Sequence, residues 1–110
     1  MLNITINNDF EEKIAEIFLD KCNEYDTLED ALEGYENGEF NPEFGCIPEL
    51  IYYDDTEKLF KKYFNDIFNI ISNYYEEALG EKYDGDLDAN SLVWAAFNIT
   101  VYNWYLELKM

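Results

Sequence analysis

The stretch "KLFKKYFNDIFNIISNYYEEALG", residues 58–80, decides the fold. Within it Leu59, Phe60, Tyr63, Phe64, Ile67, Ile70, Ile71 and Tyr74 recur at intervals of three and four. That spacing collects apolar side chains on one face of an α-helix, whereas a strand would alternate at two. The expectation is one long helix, capped by Asp54 or Asp55 and stopped at Gly80. Asn65, Asn69 and Asn73 follow one another at four on the same segment, a polar row expected at a solvent-facing edge.

The same periodicity extends on both sides. Toward the C-terminus, a helix is expected over about 91–108, with Leu92, Ala96, Phe97, Thr100, Val101, Trp104 and Leu108 on its buried side. Its β-branched and aromatic content suits a strand as well, but no period of two holds. The loop before it contains "DGDLDAN", 84–90. Counted as a calcium loop, it has Ala89 where glycine is needed and Ala95 where the bidentate glutamate is needed, so it reads as a turn and helix cap.

Toward the N-terminus, "GEFNPEFG" at 38–45 is a loop, and Pro48 opens a short helix through Tyr53. Phe10, Ile14, Ile17, Phe18 and Cys22 make the apolar face of a first helix that starts near Asp9. Thr27 with Asp30 has the form of a capping box for a second, with Leu28, Ala31, Leu32 and Tyr35 inside and Gly38 as its stop. "LNITI", 2–6, alternates and is β-branched. The sum is a mainly α single domain, residues 1–110, of four or five helices, with a short N-terminal strand or extended arm.

The 110 residues carry 25 acids against seven lysines, a formal net charge of −18. Ten tyrosines, eight phenylalanines and two tryptophans separate the chain from disordered acidic tails. Self-repulsion on this scale opposes compaction. The charge also argues against nucleic acid or an anionic membrane as a direct partner, and for a basic protein surface. There is no histidine and no arginine. Histidine-based triads are excluded within the chain, and no metal or cofactor pattern is present. Cys22 and Cys46 form no CxxC, and Cys22 falls on an apolar helix face, as a buried free thiol does. Apolar runs are short and interrupted, so no signal peptide or membrane span is expected and the chain reads as cytoplasmic.

Charge is concentrated in residues 1–57, which hold 17 acids and two lysines. Glu12, Glu16, Asp20 and Glu24 follow one another at four, a single line down the first helix. Asp26, Glu29, Asp30, Glu33 and Glu36, with Glu39 beyond, repeat the device on the second. Like charges at this spacing each oppose the helix by roughly 0.2–0.5 kcal/mol. Such runs are commonly solvated faces. The scarcity of lysine in this half favours a functional one, in which the ten carboxylates bind a partner.

The profile of a small, histidine-free, acidic, aromatic-rich chain resembles the phage-encoded inhibitors of bacterial defence, the acidic anti-CRISPR and DNA-mimic anti-restriction proteins. The likeness is one of character and covers mainly residues 9–57. Residues 45–106, with "LIYYDDT" at 50–56 and Leu92, Trp94 and Phe97, are similar to a small uncharacterised domain of phage and mobile-element proteins. These resemblances imply a helical, non-catalytic inhibitor that acts in the host cytoplasm. It would block the basic nucleic-acid-binding surface of a CRISPR effector or restriction enzyme by imitating phosphate charge. The alternative is an acidic adaptor or assembly protein that binds a basic partner without displacing nucleic acid.

Overall fold

A computed structural model describes residues 4–37, 53–83, 85 and 88–109. Five α-helices and one π-helical turn make up the regular structure of these residues: α1 (Asp9–Cys22), α2 (Leu28–Glu36), α3 (Tyr53–Lys62), α4 (Phe64–Tyr74), the π turn (Tyr75–Leu79) and α5 (Ala89–Lys109). No strand occurs among the described residues. Residues 4–7 form an arm with no regular structure, so of the two N-terminal expectations the described residues follow the arm.

The central helix is α5. One side of it buries Leu92, Val93, Ala96, Phe97, Thr100, Val101, Trp104 and Tyr105. Against it lie Ile67, Ile70 and Ile71 of α4, Leu59 of α3, and Phe10, Ile14, Ala15, Phe18 and Cys22 of α1, in one continuous core. Phe18 meets Trp104 with ring centroids 5.3 Å apart. From α2, Ala31 and Tyr35 reach the core, and Tyr35 stacks on Tyr105 at 4.6 Å. Leu28, expected on this face, is exposed. Gly34 is buried because Tyr25 lies across it, leaving no room for a Cβ.

Helix ends follow local chemistry. The N-cap of α1 is Asn8, one residue before the expected Asp9. Its side chain accepts from the Glu11 N–H at 2.8 Å. Asp66 of α4 adds a tertiary cap by accepting from the Phe10 N–H at 3.2 Å. Thr27 caps α2 as the sequence suggests, accepting from the Asp30 N–H at 3.1 Å. Asp88 caps α5 through the Ser91 N–H at 2.8 Å. Gly80 ends the π turn at φ 65°, in the left-handed region where glycine carries no Cβ penalty. The arm is fixed to α5: Trp104 Nε1–H donates to the Thr5 carbonyl at 2.8 Å, and the Thr5 N–H and hydroxyl both donate to Glu107.

The single long helix expected over 55–79 is not continuous. Tyr63, at φ −118° and ψ 30°, separates α3 from α4, and the last turn widens to π geometry. The backbone is already helical at Tyr53, which places Asp54 and Asp55 inside α3. The break shifts the apolar phase. Leu59, Ile67, Ile70 and Ile71 stay inside, while Phe64 is 47% exposed and Tyr74 41%. Phe60, Phe64 and Phe68 instead form a ladder of rings at 5.3 and 6.0 Å along the outer edge. The expected helix opening at Pro48 and the stop at Gly38 lie outside the described residues, as does Cys46. Cys22 is a buried free thiol, and burial pushes its pKa up to about 11.

Candidate functional site

The surface carboxylates take their positions from α1 and α2. Helix α1 buries Phe10, Ile14, Phe18 and Cys22, so residues offset from them face water. Glu12, Glu16 and Asp20 are exposed in one line along it, while Glu24, expected on the same line, is exposed in the turn beyond the end of the helix at Cys22. The line is not wholly unneutralised. Lys13 Nζ lies 3.5 Å from Glu16 and Lys21 Nζ lies 3.2 Å from Glu24, each an i,i+3 pair on the surface. Pairs of this kind are worth little and exchange readily with solvent or a partner. Glu12 and Asp20 make no ion pair among the described residues.

Asp26, which precedes the Thr27 cap and so stands outside α2, and Glu29, Asp30 and Glu33 on the helix are likewise exposed and make no ion pair among the described residues. Glu29 and Asp30 stand in the first turn of α2, where the helix dipole favours negative charge. That offsets part of their mutual repulsion. Glu36 is the exception. Its Oε1 accepts from the Tyr105 hydroxyl at 2.5 Å and from Lys109 Nζ at 2.7 Å, and Lys109 Nζ lies 2.9 Å from the Tyr105 oxygen. The Lys109 hydrogen bond, then that of Tyr105, holds the Glu36 carboxyl below the usual carboxylate range. The Glu36 bond is also the main cause that raises the Lys109 pKa. Glu36 therefore ties α2 to the end of α5 and is withdrawn from any free row. Glu39 lies outside the described residues.

The observed surface comprises Glu12, Glu16 and Asp20 on α1 and Glu29, Asp30 and Glu33 on α2, with Glu24 and Asp26 in the turn between the two helices. Free carboxylates without cations of their own can accept charge-assisted hydrogen bonds from lysine or arginine of a partner. Sequence reasoning missed Glu11, which differs from Glu12 by one residue yet is 8% exposed. Its position three after Asn8 is the available signal. There it accepts from the Asn7 and Asn8 amides.

A family model described as "Domain of unknown function (DUF7222)" matches residues 7–110. The chain belongs to this family. The match runs from the arm to the end of α5, so the DUF7222 domain includes both acidic rows and the whole described core. No curated protein and no solved structure matches the chain significantly. Among the described residues, no helix of it is long and apolar enough to cross a membrane.

Proposed function

We propose that the chain is a binding protein without catalysis of its own, which blocks the basic nucleic-acid-binding surface of a bacterial defence nuclease. A CRISPR effector is the favoured target and a restriction enzyme the next. The supporting observation is the set Glu12, Asp20, Asp26, Glu29, Asp30 and Glu33, exposed on consecutive elements and free of ion pairs among the described residues. Carboxylates three or four apart on a helix lie about 5–6 Å from one another. Phosphates along a DNA strand rise about 3.4 Å per residue and are spaced somewhat more widely along the winding backbone. A groove lined with lysine and arginine could take either. The choice of a defence nuclease rests on the resemblance in character to phage-encoded inhibitors.

The adaptor reading shares the acidic surface and differs in one consequence. A mimic competes with nucleic acid, and an adaptor binds beside it. Capture of host proteins on the immobilised chain, with and without nuclease treatment, followed by competition with duplex DNA and with RNA, tests this. Displacement of the captured protein by nucleic acid is the expected result. A ternary complex with nucleic acid still bound would establish the adaptor instead.

A further inference from the structure

A cleft of about 490 Å³ opens between the arm, the end of α4, the π turn and α5. None of the row residues on α1 or α2 lines it. Three carboxylates from distant parts of the chain do: Glu11, Glu77 and Glu107. No lysine lines the cleft, and no ion pair reaches these three among the described residues. Glu11 is more than nine-tenths buried, and its described hydrogen bonds come only from the neutral Asn7 and Asn8 groups at 3.0–3.3 Å. A buried carboxylate without a counter-charge is costly, so a cation that reaches it is favoured.

A second observation is independent of the acids. Thr100 lines the same cleft, is 3% exposed, and its hydroxyl oxygen has no hydrogen-bond partner among the described residues. Unpartnered buried hydroxyls are uncommon, and a missing ligand is one physical reason for them. The walls narrow the chemistry. Tyr74 and Tyr102, both exposed, offer aromatic surface that suits both an alkyl chain and a cation. Among the described residues no three acidic groups converge as a metal ion would require. The cleft volume falls in the range of roughly 300–1,000 Å³ typical of small-ligand sites. Glu77 belongs to the π turn, a geometry that recurs at functional sites.

We propose that this cleft binds an aliphatic primary ammonium, carried on a free polyamine or on the lysine side chain of another protein. The amine proton donors meet Glu11, Glu77 and the Thr100 oxygen, and the methylene chain lies against the tyrosines. Titration calorimetry of the full chain with spermidine, and separately with a capped lysine peptide, tests this at physiological salt. One saturable site is expected. Glu77→Gln should weaken it about tenfold, the factor of one charge-assisted hydrogen bond. Thr100→Val should weaken binding while raising the melting temperature, because the unpartnered hydroxyl is gone. Glu57→Gln, an exposed position on α3 outside both the cleft and the acidic rows, should bind as the parent does. Tighter spermidine binding assigns the site to free amines, and tighter peptide binding assigns it to a protein side chain. The proposal is overturned if neither probe saturates, if Glu77→Gln or Thr100→Val binds like the parent, or if Glu57→Gln loses as much as Glu77→Gln.

Discussion

Phe64 and Ile67 stand three residues apart in one apolar pattern, yet the fold treats them differently. Ile67 is fully buried beneath α5 and Phe64 is 47% exposed between Phe60 and Phe68. Removal of a buried isoleucine side chain loses its transfer energy and leaves a cavity, so Ile67→Ala should cost about 2–5 kcal/mol. Phe64→Ala leaves no closed cavity and loses only part of its burial and two ring contacts, so its cost should be under about 1.5 kcal/mol. Equilibrium denaturation by urea measures both. Equal losses would mean that Phe64 is packed as deeply as Ile67 and that the break at Tyr63 does not shift the face.

Among the elements, α2 combines a small apolar anchor with a polar one. Ala31 and Tyr35 anchor it, and Glu36 closes the contact through Tyr105 and Lys109. The Glu36 pKa lies lower in the fold than in the unfolded chain. Its stabilising effect is therefore full above the ordinary glutamate value, about 4.3, and fades as the pH falls through the lower folded value. Lys109 moves upward chiefly because of the same bond, so on its own titration the pair would be lost only as the pH rises through the Lys109 value, and on acidification it goes when Glu36 takes up its proton. As the pH falls from 7 to 3, protonation relieves the self-repulsion of both proteins alike, and the parent should lose melting temperature relative to Glu36→Gln. Parallel curves would show that this network does not tether α2. Much of the element level was legible in the sequence: the Thr27 cap, the faces of α1 and α5, and the stop at Gly80 all depend on neighbours within a turn. The break at Tyr63 was not, because both of its flanks keep the three-and-four spacing. Nor was the Glu36–Lys109 pair, whose partners are 73 residues apart, nor the burial of Glu11, which local charge counts treat like Glu12. Glu39 falls outside the described residues.

At the scale of the molecule, a net charge of −18 is unevenly spread over a small fold. The rows on α1 and α2 face solvent and the core sits behind them, so the rows can be altered without touching the packing. A contact made by them should weaken as salt rises, since the screening length shrinks from about 10 Å at 0.1 M to about 3 Å at 1 M. Affinity for the target measured across that range should fall steeply, and a flat profile would move the interface to the exposed Phe64 and Phe68. The most direct test uses charge reversal. Labelled DNA or guide RNA bound to purified CRISPR effectors and restriction enzymes is titrated with the chain, and its displacement is read by fluorescence anisotropy. Glu29→Lys with Glu33→Lys replaces attraction by repulsion at a basic groove. Glu76→Lys with Glu81→Lys changes the net charge equally, in the π turn and just after it. The account predicts displacement by the parent and by the second pair, and its loss in the first. Equal displacement by all three, or by none, would contradict it.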